Sequence, residues 1–461
     1  MSRKTILFYA ILVIGIGTTY AQKEIECKAK LSISHESVKT SKYDEAYEPW
    51  LFVRNNCPEL NLATYADGEK ILKHKIDSAK EGEKKSFIED LIALWQERKQ
   101  YFSSSTPIGE YDAKACQLQY DYNDELSKSK DVLYDCFNAA FKADKQSFTH
   151  PKSLYSYFSL MVDLFDEGKK TDTELFNTYD DVSEKIQVEI QNYSEKLNAL
   201  VLRIESGETL SKKDIGRKKA YESYLKNYTL IQENIDNLSN ARANCNNLIP
   251  LYSKDFNTHQ NDSVWLKRAV SRIYYKQCTE DELYETLVKQ YDNVAPSADT
   301  KVYVATVLLK KEKDEEAYQY LEEAYRLETD AYKKSNLAFR IGVIYKNKGH
   351  YSKARTNLLD ALKLNPSNGK PHLLIAEMYN DSAKNCGKDN FHQRAVYWLA
   401  AQEAEKASRV DPTLQKWVNQ AVANYEAKAP TKEEIFLSGL AGKTLKIGCW
   451  INRSIMVPKL D

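Results

Sequence analysis

Glycine and proline are scarce, at 15 and 11 of 461 residues, about half their usual share. A chain so poor in turn formers cannot easily build many short strands, so long helices are expected instead. Charge of one sign is missing too. Lysine plus arginine and aspartate plus glutamate each number 66, a net charge of zero. No basic domain or stripe is present to track a phosphate backbone, which argues against nucleic acid as a partner. Past the first two dozen residues no apolar run is long enough to span a bilayer. Signatures of common catalytic sites are absent: no GxSxG elbow, no GxGxxG or Walker-type glycine loop, and no HExxH pair. No CxxC spacing or paired histidines suggest a metal site, and no cofactor is expected. His372 is read as a satisfied core histidine, His350 as a solvated turn residue, and His392 as too poorly spaced from Cys386 for zinc. The acidic run Glu312 to Glu316 is broken by lysine and reads as a solvated helical face.

Residues 1–21 read as a secretory signal peptide. Arg3 and Lys4 form the charged start, Ile6 to Gly17 the apolar run, and Thr19-Tyr20-Ala21 the cleavage site. Cys27 lies too far past the cut for a bacterial lipoprotein signal. The expected mature chain carries 64 basic and 66 acidic residues, a net −2, with no transmembrane segment.

Export accounts for eight cysteines, all beyond the leader. In an antiparallel helical hairpin, facing residues lie symmetrically about the turn. Cys27 and Cys57 are centred on Lys42, Cys116 and Cys136 on Leu126, and Cys245 and Cys278 on the stretch His259 to Asp262. Three sequential disulfides are therefore expected, leaving Cys386 and Cys449 to tie the tail to an upstream loop.

From residue 22 onward apolar residues recur at three and four, the helical period. Three trios share the spacing i, i+4, i+7: Ala317, Leu321, Ala324; Ala354, Leu358, Ala361; and Ala400, Ala404, Ala407. Pro366 and Pro412 follow five residues after the last alanine of their trios. Ile341, Gly342 and Tyr345 precede the middle trio, and Asn336 to Pro366 gives the fullest match. Near the amino terminus Tyr43, Ala46, Trp50, Val53 and Pro58 repeat the second-helix pattern. Two polar-rich helices, Thr173 to Arg203 and Lys212 to Ala241, form a long hairpin of about 45 Å. Thr431-Lys432-Glu433-Glu434 is a capping box, and Thr444 to Ile451 with Ser454 to Pro458 suggest a β-hairpin turning at Asn452-Arg453, with Cys449 in its first strand.

The trios and their stops resemble the tetratricopeptide repeat (TPR) family, helix-turn-helix units of about 34 residues. Segments 43–59, 382–398 and 432–451 further resemble secreted TPR proteins of Gram-negative bacterial envelopes. The expected fold is all-α: a TPR-like α-solenoid of antiparallel helix pairs with a long helical hairpin insert and a small C-terminal β-hairpin. Its parts are a 22–171 TPR-like region, the 172–242 hairpin, a 243–429 solenoid and a 430–461 tail.

The resemblance implies an exported, non-catalytic scaffold in the periplasm or cell envelope, otherwise secreted, binding a protein or extended peptide in its concave groove. First-helix positions expected to line that groove carry Val302, Thr306 and Lys310, then Phe339, Val343, Lys346 and Asn347, then Lys370, Leu373, Glu377 and Asn380. They lack the dense lysine and asparagine set that clamps a terminal carboxylate. The 32 tyrosines, against 4 methionines, are expected mostly between helices. In a second reading, the hairpin and tail bind a glycan, peptidoglycan or small ligand, with Trp398, Trp417 and Trp450 as stacking surfaces. The sequence leaves partner identity and oligomeric state open.

Overall fold

The computed structural model describes residues 22–80 and 82–460, so the expected leader lies outside the described residues. The described chain is all-α apart from one two-stranded sheet. It forms two compact units, one ending at Lys185 and one beginning at Ile186.

The first unit contains α1 (22–39), α2 (Tyr43–Asn56), α3 (Ala63–Ser78), α4 (Lys84–Tyr101), α5 (Ile108–Asp121), the single turn α6 (Asn123–Leu126), α7 (Lys130–Ala143), α8 (Pro151–Asp166) and the start of α9 (Asp172–Glu205). Ala46, Trp50 and Val53 are wholly buried, as the repeat pattern requires. Trp50 donates Nε1–H to the Thr64 carbonyl at 2.7 Å and lies flat on Gly68, where a Cβ would come within 2.5 Å of the indole. The buried Arg54 grips Glu97 with Nε and Nη2 and Asp90 with Nη1, at 2.7–2.9 Å.

The second unit continues α9 and adds α10 (Lys212–Asn240), α11 (Cys245–His259), α12 (Ser263–Tyr275), α13 (Glu282–Val294), α14 (Ala298–Lys310), α15 (Asp314–Leu327), α16 (Ala331–Asn347), α17 (Tyr351–Leu364), α18 (Lys370–Ser382), α19 (Asn390–Val410), α20 (Gln415–Lys428) and the short α21 (Lys432–Ser438). The helices pair as α12/α13, α14/α15, α16/α17 and α18/α19. All nine residues of the three trios are 0% exposed, so the periodicity marks the seam along which the pairs stack. The segment after Ser382 contains a 3₁₀ turn (Ala383–Asn385) and ends at Asp389, whose side chain caps α19. In the hairpin, Tyr193 stacks on Tyr224 at 4.6 Å with Tyr228 fully buried beside it, so part of the tyrosine excess is packing.

All four expected cysteine pairs lie at disulfide distance: Cys27–Cys57, Cys116–Cys136, Cys245–Cys278 and Cys386–Cys449, with Cα separations of 6.4, 5.7, 5.4 and 5.3 Å. The turns fall where symmetry puts them, between α1 and α2, around α6, and between α11 and α12.

The capping box forms, with Thr431 Oγ1 accepting from Glu434 N–H and Glu434 Oε2 from Thr431 N–H. The β-hairpin is shorter than expected, β1 (Thr444–Ile447) pairing antiparallel with β2 (Arg453–Met456). Cys449 is therefore in the turn, with φ of 51°, and not in a strand. The physical reason lies in its neighbours. Its sulfur is held by Cys386 while Trp450 wedges between Tyr351 and Tyr379, at 5.4 and 5.6 Å, and donates to Ser382 Oγ at 2.9 Å. These anchors, with Arg355 donating to the Ile451 carbonyl at 2.6 Å, draw 448–452 out of the ladder and onto the repeats.

Candidate functional site

The first helices α12, α14, α16 and α18 succeed one another along one face of the second unit. Of the residues expected to line it, Val302 is fully buried in the core and offers a ligand nothing. Thr306 is half-buried, its hydroxyl 2.8 Å from the Tyr284 hydroxyl. Exposed Lys310 pairs with Glu280 at 3.1 Å. On α16 and α18 the structure joins two of the set directly, Lys346 and Glu377, at 3.1 Å. Asn347 is exposed beside them, Val343 is half-buried, and Asn380 accepts from Lys428 Nζ at 3.1 Å. Leu373 packs into the core.

Phe339 and Lys370 have different surroundings. The hairpin crosses the beginning of α16 and the loop before α18, and lines with them a half-open cleft of about 510 Å³. Asn198 of α9 clips it in place: its Nδ2 donates to Asn365 Oδ1 at 2.9 Å, and its Oδ1 accepts from Ser367 N–H at 3.0 Å. Ser367 Oγ also bonds Asn365 Oδ1, at 3.0 Å. Burial raises the Tyr332 phenol, which faces Asn336 and Ser194 in the same cleft. The cleft wall is completed by Leu197, Leu225 and Lys226 of the hairpin and by Asp411, Pro412 and Thr413 beyond α19. Burial raises the Asp411 carboxyl above its ordinary value, although Thr413 donates to it from N–H and Oγ1, at 3.1 and 2.5 Å. The face thus has a covered half, at the starts of α16 and α18, and an uncovered half toward their ends.

The hairpin residues of this cleft carry no sequence signal that assigns them to a site, being polar residues of a polar arm. A second feature missed from sequence is Arg340. Its Nη1 holds Asp299 at 2.8 Å, its guanidinium lies 5.2 Å over the Tyr303 ring, and Nε and Nη2 are buried without a hydrogen-bond partner. His372 is satisfied, its Nδ1 lying 2.6 Å from the buried Glu403 carboxylate. Among the described residues, no cluster of three or more His, Cys, Asp or Glu could hold a metal ion, and no helix is long and apolar enough to cross a membrane. Of the three tryptophans considered as stacking surfaces, Trp450 is committed to packing and Trp398 meets Phe391 edge-on, while Trp417 is 57% exposed.

Among curated proteins nothing matches the chain. Solved structures similar to it include yeast Tom70, at 11% identity with 90% of each chain covered and a TM-score of 0.31. A monomeric IFIT1 mutant with Gppp-AAAA shares 13% identity over 77% of this chain and 75% of that one, with a TM-score of 0.32. The Cut9–Hcn1 hetero-tetramer of APC/C shares 12% over 85% and 95%, with a TM-score of 0.25. At these scores none of them bears on this chain's partners or chemistry. Residues 335–368 match the sequence model of the family described as tetratricopeptide repeat. That segment begins in α16, runs through α17 and contains the Gly342 and Ala354 anchors, so the likeness to a tetratricopeptide repeat falls on the central helix pair of the second unit.

Proposed function

We propose that the protein is an exported, non-catalytic scaffold that binds another protein through the uncovered half of its first-helix face. The observation that carries this reading is the row Val343, Lys346, Asn347, Glu377 and Asn380, which runs without interruption by the hairpin from one repeat to the next. Stacked helix-pair repeats use such extended surfaces to bind proteins and peptides. The leader-like 1–21 and four disulfide pairs support an oxidising compartment, and we place the protein in the periplasm or envelope of a Gram-negative bacterium. The segments 22–171, 172–242, 243–429 and 430–461 are proposed as its functional parts.

Affinity capture from the native envelope fraction tests the reading. Wild type is expected to recover a discrete partner, and Lys346→Glu, which breaks the pair with Glu377 and reverses a charge on the face, to reduce recovery by about tenfold or more. Failure to recover any partner, or equal recovery by the variant, contradicts it.

A further inference from the structure

We infer that the tail formed by α21 and the β-hairpin docks on the surface of a membrane that contains anionic lipid, lying on it without spanning it. The tail ends the stack: Ile435, Leu445, Ile447, Ile451, Ile455 and Val457 are buried in the same core as the last repeats. The terminal element of a repeat stack needs a polar outer face to stay in water. Here that face is partly apolar. Leu437 and Phe436, 75% and 72% exposed, are the two most exposed large apolar side chains among the described residues, and Met456 of β2 is 58% exposed. None of the three belongs to the core. An apolar patch left open in this way marks a surface that something covers.

Charge selects what covers it. From Ile435 to Leu460 the chain carries Lys443, Lys446, Arg453 and Lys459 and no acidic residue, in a protein whose total charge is zero. Glu434, just before this stretch, is held by Arg394. Lys446, Arg453 and Lys459 are exposed and form no salt bridge among the described residues. The backbone brings the apolar and basic groups together. Lys443 Nζ donates at 2.9 Å to the carbonyl of Gly439, the residue that ends α21 just after Phe436 and Leu437. Met456 pairs with Thr444, and Lys446, two residues on, lies on the same exposed side of the ladder. Lys459 runs alongside Gly442 at the open end of the hairpin. A partner recognised by charge alone would leave Phe436 and Leu437 in water. A protein interface buries aromatic residues but is depleted in lysine. Exposed apolar side chains beside lysines, with no carboxylate among them, suit the boundary between headgroups and acyl chains, where the apolar groups enter and the cations meet lipid phosphate. The inference stands apart from the protein-binding reading, which concerns the first-helix face.

The test is sedimentation of the full mature chain with vesicles, of phosphatidylcholine alone or of equal parts phosphatidylcholine and phosphatidylglycerol. Binding to the anionic vesicles about tenfold or more tighter than to the neutral ones is expected, weakening as salt is raised. Phe436→Ser/Leu437→Ser should reduce binding to the anionic vesicles about tenfold or more. Lys446→Gln/Lys459→Gln should remove most of the preference for them. Both variants should keep the far-ultraviolet circular dichroism unchanged, because all four side chains are exposed. No sedimentation with the anionic vesicles, equal binding to both kinds, or wild-type behaviour of either double variant overturns the inference. Capture of an envelope protein that Phe436→Ser/Leu437→Ser abolishes, without vesicle binding, overturns the choice of lipid.

Discussion

Gly342 sits where the two helices of the central repeat touch. A Cβ there would lie 2.9 Å from Leu358 Cγ and 3.3 Å from the Ala354 carbonyl, both in the closed core. Alanine gains up to about 1 kcal/mol of helix propensity over glycine, whereas overpacking costs about 1–3 kcal/mol. Gly342→Ala is therefore expected to destabilise the second unit by up to about 2 kcal/mol, read as a lowered urea midpoint. Glu403 offers a second residue-level test. Burial alone would raise its carboxyl, but hydrogen bonds from His372 and Lys406 outweigh burial and hold it below the ordinary carboxylate value. The ionised group thus contributes stability above the unfolded pKa of about 4.3, and that contribution disappears as the pH falls through the lower folded value. Glu403→Gln should cost about 1–3 kcal/mol near neutral pH and progressively less in acid, measured by urea unfolding across that range. Gly342 and His372 were legible from sequence because repeat register assigns them neighbours. Val302 was not: register put it on the open face, yet it is wholly buried. Arg340 was equally invisible, since its partners Asp299 and Tyr303 belong to another helix.

Helices and their stops were the most readable elements. The hairpin helices end within two residues of the expected positions, because Ser211 caps α10 and Gly207, at φ 87°, supplies the turn between the arms. The cysteine pairs were readable for a related reason: symmetric placement about a turn needs only the turn's position. The tail was less so, because strand propensity in 444–451 competes with anchoring by Cys386, Ser382 and the aromatic pair Tyr351 and Tyr379. With its last anchors removed, the tail should detach before the repeats unfold. Cys449→Ser is expected to make 443–460 sensitive to limited proteolysis while far-ultraviolet circular dichroism changes little, and the lost closure of a 63-residue separation should cost about 3–5 kcal/mol within the tail's own contacts. Unchanged protease resistance would mean that Trp450 packing suffices.

Across the second unit, function follows from what the hairpin covers. Neither arm announces in sequence that it lies on the first-helix face, since Asn198 meets Asn365 across 167 residues and no periodicity spans that distance. Composition and repeat register disclosed the fold class and the face, but not the division of that face into a cleft beneath the hairpin and a row beyond it. Partner binding on the open row is tested most directly by site-specific photocrosslinking in the native envelope. A photoreactive side chain at the exposed position 347, on the open row of α16, is compared with one at the exposed position 363, on the second helix α17. A discrete protein adduct is expected from position 347, absent from position 363 and lost with Lys346→Glu. Adducts of equal yield at both positions, or none at 347, would contradict it.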